Sequence, residues 1–159
     1  MEKDTWDKLE DMFNKSPLMK AEAVEADVVN KLSEYVGFTL SLDYVEFMNR
    51  YGGAIVGSYS IFGLGAADAM GDNEASAIDV TKRFRDDGWA GTENWLVISM
   101  DHSGNPVGLD LDGKVWLSDH DAGAVSQLAD SFEEYLRKWC LKCCRAGSDQ
   151  AERPFTRVL

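Results

Sequence analysis

The chain has 159 residues, of which 45% are hydrophobic and 11% aromatic, and its formal net charge is −12. This length predicts one domain, and this composition predicts a globular fold rather than a disordered chain. The acidic balance opposes nucleic-acid binding, and no apolar run approaches the roughly 20 residues that cross a bilayer. We therefore expect neither a nucleic acid nor a membrane as partner. The charge suits a basic protein partner, although solubility alone also accounts for most of it.

The two ends of the chain bear on compartment and redox state. Residues 1–11 are charged throughout and lack the apolar core of a secretory signal, which predicts a cytoplasmic protein. Cys140, Cys143 and Cys144 fall in one C-terminal stretch, and their odd number does not suggest a disulfide framework. Their Cys-x-x-Cys spacing has no second pair to complete four zinc ligands, so structural thiols are the favoured interpretation. We predict no metal and no cofactor.

Two amphipathic helices are predicted in the N-terminal part of the chain. The first takes Thr5 as its N-cap and stops at Ser16-Pro17, and the second covers residues 24–35 and ends at Gly37. Their apolar stripes, which we expect to pack in the core, consist of Trp6, Leu9, Met12 and Phe13 in the first helix and Val24, Val28, Leu32 and Tyr35 in the second.

A third helix leads directly into a predicted sheet. Ser41 is a suitable N-cap, and Gly52-Gly53 ends the helix because glycine adopts the left-handed conformation without steric cost. The residues at i, i+3, i+4 and i+7 of its apolar stripe are Tyr44, Phe47, Met48 and Tyr51. Residues 55–62 are then mostly β-branched or aromatic and are interrupted by Gly57, which predicts the first strands of a sheet. A further helix is predicted over residues 73–85, with Ala77, Val80 and Phe84 inward.

The strongest strand pattern predicts an antiparallel meander of three strands at residues 95–100, 107–111 and 115–118. Asp112-Gly113 is typical of a two-residue hairpin loop, and such a loop would place Leu109 opposite Trp116. A capping box of Ser131 and Glu134 starts the last helix, and residues 123–130 before it are predicted to form a turn or a short helix. We expect one domain over residues 1–146 and a polar tail over residues 147–159.

Three spaced motifs resemble the SUKH superfamily, which includes bacterial immunity proteins of toxin systems and fungal regulators of cell-wall synthesis. Ser41 stands where the family usually has proline, and Tyr51 where it often has asparagine. The residues that carry the resemblance are Leu40, Tyr44, Phe47, Gly52, Gly53, Ile61, Phe62, Gly63 and Leu64, then Ile98, Gly104, Asp110, Asp112, Gly113, Val115, Asp119 and His120, and finally Ser131, Phe132, Tyr135 and Leu136. The resemblance implies an α+β fold in which an antiparallel-rich sheet packs against N-terminal and C-terminal helices.

For function, the resemblance implies a non-enzymatic immunity protein that binds a cognate toxin domain, such as a basic nuclease, and neutralises it by occlusion. Two alternatives stay open. One is an intracellular scaffold or regulator without a toxin partner, and the other is a small hydrolase or ligand-binding domain with an acidic cleft. We predict no catalytic residue, because each histidine lies in a polar turn and the chain has no nucleophile elbow. The oligomeric state is not predicted.

One tryptophan lies among acids and glycines instead of in a periodic apolar stripe. Trp89 follows Asp86 and Asp87 closely, and a tryptophan rimmed by carboxylates has the composition of an interface anchor for a basic partner. The alternative, that its ring folds back onto the sheet, is equally open. Asp119 and Asp121 supply a second acidic turn. These five residues are the predicted partner-binding site.

Overall fold

The computed structural model describes residues 1–70 and 76–142, and within them it shows a single α+β domain, as predicted. The helices are α1 (Lys3–Lys15), α2 (Ala26–Val36), α3 (Leu42–Tyr51), α4 (Ala77–Asp86) and α5 (Phe132–Tyr135), which continues as a π-helical turn over Leu136–Cys140. Short 3₁₀ turns cover Pro17–Met19, Asp68–Met70 and Thr92–Asn94. The strands are β1 (Ala54–Val56), β2 (Tyr59–Ile61), β3 (Leu96–Met100), β4 (Pro106–Leu109), β5 (Val115–Asp119) and β6 (Ala124–Ala129).

Some predictions lie outside the described residues: the thiols of Cys143 and Cys144 and the polar tail over residues 147–159. The boundary of the domain at residue 146 therefore stays a prediction. Cys140 lies inside the described part and is buried. The predicted helix start at Asn73 is wrong, because α4 begins at Ala77 after the extended N-cap Ser76, although Ala77, Val80 and Phe84 are buried as predicted. None of the helices in residues 1–70 and 76–142 combines the length and the apolar character that a membrane crossing needs.

The first two helices form as predicted, with differences at their starts. Glu2 is the N-cap of α1, not Thr5, because Thr5 lies inside the helix and is buried. Its hydroxyl donates to Glu133 Oε1 at 2.7 Å, which joins α1 to α5. In α2 the buried residues are Val29 and Leu32, so the core-facing stripe is rotated by one position from the prediction. Gly37 ends α2 in the left-handed conformation, at φ 80°.

Helix α3 buries all four residues of its predicted stripe and ends at Gly52, whose φ is 67°. Beyond it, four glycines form what we term the glycine crossing: Gly52, Gly53, Gly63 and Gly65. The Gly52 carbonyl accepts from the N–H groups of the residues at positions 64 and 65, at 3.1 and 3.0 Å. A Cβ atom added at Gly63 would overlap the Gly52 carbonyl oxygen, and one added at Gly53 would overlap that of Gly65. Only glycine permits backbones to approach this closely.

The segment after the crossing enters the sheet structure as predicted and forms a hairpin of two short strands. Strands β1 and β2 pair antiparallel, with Ala54 opposite Ile61, around the left-handed Gly57. The N–H of Phe62 then donates to the Ile98 carbonyl at 2.7 Å, which attaches the hairpin to β3. Gly57 thus separates two short strands within the predicted strand-like run.

The predicted meander is present as β3, β4 and β5. The register predicted for the β4–β5 hairpin is wrong by one residue. Leu109 lies opposite Val115 and not opposite Trp116. The reason is Asp110, whose Oδ1 accepts from the N–H groups of both Asp112 and Lys114 at 2.9 Å. These side-chain bonds stabilise a longer loop in which Gly113, at φ 79°, is left-handed.

Strand β6 replaces the turn or short helix that was predicted for residues 123–130. It pairs antiparallel with β5 and completes a sheet of order β3-β4-β5-β6. The register shifts opposite Val115 and Trp116, so a β-bulge interrupts the alternation of side chains. With the strand alternation interrupted, the apolar residues at positions 125, 128 and 129 lie at i, i+3 and i+4, which is the spacing of one face of a helix.

The core takes buried residues from all five helices and from both sheets, and α3 and α5 meet within it. Phe132 of α5 contacts Tyr44 edge-to-face at 5.2 Å between ring centroids and Phe47 at 5.4 Å. The capping box of α5 forms with one change. Ser131 Oγ accepts from the Glu134 N–H at 3.1 Å, whereas the Glu134 carboxylate accepts from the N–H of Asp130. Helix α4 packs beside β3, where its Thr81 hydroxyl accepts from the Val97 N–H.

Candidate functional site

The first part of the predicted site is the exit of α4. Asp86 is the last residue of this helix and is exposed, and Lys82 one turn earlier forms an ion pair with it. Asp87 is the C-cap, with its backbone N–H donating to the Arg83 carbonyl at 3.0 Å and its carboxylate exposed. Arg85 donates to the carbonyls of Thr92 at 2.8 Å and Trp95 at 2.9 Å. These bonds hold the segment between α4 and β3 in place.

Trp89 lies half-buried in that segment. Its N–H donates to the Phe84 carbonyl at 3.1 Å, and its own carbonyl accepts from the Thr92 hydroxyl at 2.7 Å. The indole ring contacts Phe84 edge-to-face at 5.3 Å and lies 4.9 Å from the imidazole of His120, measured between centroids. The ring is therefore folded back onto the domain on one side and exposed on the other.

The second part of the site is the turn between β5 and β6. Asp119 ends β5, and its Oδ1 accepts from the N–H of Ala122 at 3.0 Å. The N–H of His120 donates to Asn105 Oδ1 at 3.2 Å, and Asn105 is only 8% exposed. Asp121 is exposed. This turn is thereby tied to the turn between β3 and β4.

The Trp89–His120 contact joins the two parts into one surface. We call this surface the acidic patch, and it consists of Asp86, Asp87, Trp89, Asp119, His120 and Asp121. Among the residues that the structure describes, no ion pair neutralises Asp87, Asp119 or Asp121, whereas Lys82 neutralises Asp86. Sequence reasoning did not include His120 in the site. Its position between two aspartates was visible, but its contact with Trp89 depends on how the sheet and α4 meet.

Comparison with known families identifies the chain. The model of the SMI1 / KNR4 family (SUKH-1) matches residues 23–138, which span α2 through the first turns after α5. The chain belongs to the SMI1 / KNR4 family. A search of curated proteins finds no match. Members of this family are generally non-enzymatic immunity or regulatory proteins, so membership supports a role in protein–protein interaction.

One other side-chain pair in this SMI1 / KNR4 domain has the residue types of a catalytic dyad. Ser58 Oγ lies 3.1 Å from His102 Nε2, and the ring of Tyr59 stacks on the imidazole at 4.7 Å. Both Ser58 and His102 are exposed. The nearest carboxylate in sequence, Asp101, accepts from the N–H groups of Ser103 and Asn105 within its own turn. Within residues 1–70 and 76–142, the contact is therefore without the orienting carboxylate of a Ser-His-Asp arrangement, and it lies at the surface.

An open groove in this SMI1 / KNR4 domain lies beside the glycine crossing. Val24, Val28 and Leu64 contribute apolar side chains to its walls, and the charged residues Lys20, Glu22 and Asp68 also line it. Within residues 1–70 and 76–142, no three His, Cys, Asp or Glu side chains come close enough to hold a metal ion.

The clearest pKa shifts in this SMI1 / KNR4 domain belong to its core. Burial raises the pKa of Tyr44 and of Tyr135 far above the ordinary value, so both phenols stay protonated at neutral pH. The Tyr44 hydroxyl donates to the Phe62 carbonyl at 2.7 Å. These tyrosines therefore act as structural groups of the core and not as acid–base groups.

Proposed function

We propose that this chain is a non-enzymatic cytoplasmic immunity protein that binds a cognate toxin domain and neutralises it by occlusion. The observation that carries the proposal is the contact between half-buried Trp89 and exposed His120, which joins the segment that contains Asp87 to the turn that contains Asp119 and Asp121. An aromatic anchor within a charged rim is the usual arrangement of a tight protein interface.

Charge explains how such a surface would find its target. A chain of net charge −12 attracts a basic partner over several ångströms, and complementary potentials raise association rates by 10-fold or more at low salt. The active-site face of a nuclease is basic because it binds phosphates. Burial of the exposed side of Trp89 against that face would exclude substrate from it. No bond in the toxin is made or broken.

A regulatory scaffold is the second candidate. The groove beside the glycine crossing, with its wall of Val24, Val28 and Leu64, is a concave surface distinct from the acidic patch in its residues. Two such surfaces suit a module with more than one partner. Gene neighbourhood separates the two candidates, because an immunity gene is expected beside a toxin gene.

The experiment is co-expression of the chain with the product of the neighbouring gene, scored for rescue from killing. We expect rescue by the native chain, an intact toxin mass in the complex, and an association rate that falls at least tenfold between 20 and 500 mM salt (about the range over which surface charges become screened). Loss of rescue is expected for the double variant Asp87→Lys/Asp121→Lys.

The matched control is Asp27→Lys/Glu34→Lys, which makes the same change of net charge on exposed positions of α2. It should still rescue, with an association rate closer to that of the native chain than the patch variant shows. Absence of rescue by the native chain would contradict the immunity role. Equal binding from low to high salt would contradict the electrostatic part alone.

A further inference from the structure

Strand β6 forms an edge of the four-stranded sheet, and the part of the chain that the structure describes does not pair with its outer side. The opposite edge of the sheet, β3, is covered. Its Ile98 carbonyl accepts from the Phe62 N–H, and its Val97 N–H donates to the Thr81 hydroxyl. Residues 124–127 are all exposed, although side chains of a strand alternate between two faces. Val125, the large apolar residue of this stretch, is 41% exposed. Both faces and the outer edge of this stretch therefore lie in solvent.

The bonding pattern of the sheet tells which backbone groups of β6 point outward. The Asp110 N–H donates to the Lys114 carbonyl and closes the β4–β5 hairpin. Bonded and non-bonded pairs alternate in antiparallel strands, so Gly108 and Trp116 form the next bonded pair. The same alternation requires the Val97 N–H to point away from β4. This N–H donates to the Thr81 hydroxyl, which agrees with the pattern. The backbone groups of Trp116 are thus committed to β4.

The alternation then continues into β6. Leu117 directs its N–H and C=O groups toward β6, where Ser126 is its partner. The neighbours of Ser126 face the other way, so Val125 and Gln127 direct their N–H and C=O groups to the outer edge, where no strand of the described residues pairs with them. These four groups form an unpaired ladder of the kind that binds another strand.

The edge also lacks the usual protection against pairing. The sequence of β6 is AVSQLA, with no lysine, arginine or proline. Its C-terminal end is closed, because Trp139 Nε1 donates to the Leu128 carbonyl at 3.4 Å and Gln127 Nε2 to the Ala129 carbonyl at 3.3 Å. The open stretch is therefore residues 124–127, about 13 Å long at the usual rise per residue.

Charge decides what can occupy this edge. Asp119 and Asp121 lie at one end of β6 and Asp130 at the other. If the β6 strands of two copies paired antiparallel, Asp119 and Asp121 of each copy would lie near Asp130 of the other. Two chains that each have a net charge of −12 would then repel each other. An extended segment with basic ends would meet these acids favourably. Because Asp119 pairs with Ala124, the open edge begins where the acidic patch ends.

We propose that the outer edge of β6 binds an extended segment of a basic partner protein, flanked by lysine or arginine, as a fifth strand of the sheet. The inference rests on the proposed function, because it takes the partner to be a basic protein. It extends that proposal by naming the outer edge of β6 as a second part of the binding surface. Pairing through N–H and C=O groups gives affinity, and the flanking acids give selectivity for charge.

The first test uses the full chain, labelled with ¹⁵N, and the synthetic peptide Ac-KKVTVTVTKK-NH2 as probe. We expect the Val125 and Gln127 amides to exchange rapidly in the free protein and at least tenfold more slowly with the peptide. A matched peptide with glutamates in place of the lysines should bind at least tenfold more weakly. Slow exchange of both amides in the free monomer would overturn the proposal, because the chain's own C-terminal segment would already cover the edge. Slow exchange that depends on protein concentration would also overturn it, in favour of a second copy.

The second test compares Val125→Pro with Val125→Thr. Proline removes the outward N–H and leaves the bonds of Ser126 to β5, whereas threonine keeps the N–H with a similar shape. The peptide should bind Val125→Pro at least tenfold more weakly and Val125→Thr within twofold of the native chain. Equal binding of the two variants, with both folded by circular dichroism, would overturn the proposal. The amide-exchange test needs no substitution and decides the case if Val125→Pro does not fold.

The same pair separates this proposal from the proposed function. If the neighbouring gene product kills and is neutralised equally by Val125→Pro and Val125→Thr, the immunity role stands and the fifth strand is wrong. If no toxin is neutralised but the peptide protects Val125 and Gln127, the edge binds a basic strand and the immunity role is wrong.

Discussion

The glycine crossing and the acidic patch are both places where distant parts of the chain meet, but they meet by different means. At the crossing, backbone touches backbone: the Gly52 carbonyl accepts two N–H groups, and the Gly63 carbonyl accepts the N–H of Ala77 at 2.7 Å. At the patch, the contact between Trp89 and His120 joins two segments through side chains, and carboxylates around it face solvent.

The difference teaches why a family can keep one fold and change partners. A backbone crossing tolerates only glycine, so its residues appear as a recognisable motif. A contact between two rings at the surface tolerates other side chains, and the acids around it touch little of the protein. The crossing should therefore govern stability with no separate effect on binding, and the patch should govern binding with a modest effect on stability.

The largest expected effect comes from Gly63→Ala. Its Cβ would overlap the Gly52 carbonyl oxygen and the Met48 sulfur. We expect the free energy of unfolding to fall by about 3 kcal/mol, because a backbone oxygen cannot move aside as a flexible side chain can. Chemical denaturation measures it. The control is Gly104→Ala, which has open space but φ +82°, and should cost only about 1 kcal/mol. Equal losses in the two variants would show that crowding at the crossing is unimportant.

An intermediate effect is expected from Trp89→Ala, which removes the ring between Phe84 and His120. Affinity for the toxin should fall at least 30-fold, as for an interface anchor, with about 1–2 kcal/mol of stability lost. The matched control is Trp6→Ala, since Trp6 is also half-buried and lies under Arg50 at 3.9 Å, outside the patch. It should lose similar stability and no affinity. A Trp89→Ala variant that loses stability alone would assign the ring to the core.

The smallest effect is expected from Glu134→Gln at the start of α5. A hydrogen bond from Lys138, and then one from the N–H of Asp130, hold the pKa of the Glu134 carboxyl below its ordinary value. A lowered pKa in the folded state stabilises the fold above the unfolded-state pKa, and this contribution is lost as pH falls through the folded-state pKa. Thermal unfolding should show Glu134→Gln below the native chain at pH 7, with the gap closing below about pH 4. A gap that is constant with pH would contradict the assignment.

The sequence was sufficient for features set by local chemistry. Ser131 caps α5 as its capping box predicted, and Gly37 and Gly52 end their helices in the left-handed conformation. The stripe of α3 was also readable, because large apolar residues at this spacing share one face of a helix and would be split between the two faces of a strand.

Features set by competition between interactions were not readable. The Asp110 side chain accepts two N–H groups and so favours a longer loop over the predicted two-residue loop. In β6, a bulge interrupts the alternation of side chains that identifies a strand in a sequence. For the candidate site, the acidic residues and Trp89 were identified by composition. Their assembly through His120 was not, because it depends on the packing of α4 against the sheet.

The bonds of Glu133 reach beyond the segment that the family model matches. Its Oε1 accepts from the N–H of Glu2 at 2.8 Å as well as from Thr5, so α1 is fastened to α5 although it precedes residues 23–138. Leu9 and Phe13 of α1 are 0% and 2% exposed. A clone trimmed to the matched segment would uncover the apolar surface beneath this helix, and it should aggregate. We therefore expect the folding unit of this chain to extend beyond the residues that the family model matches.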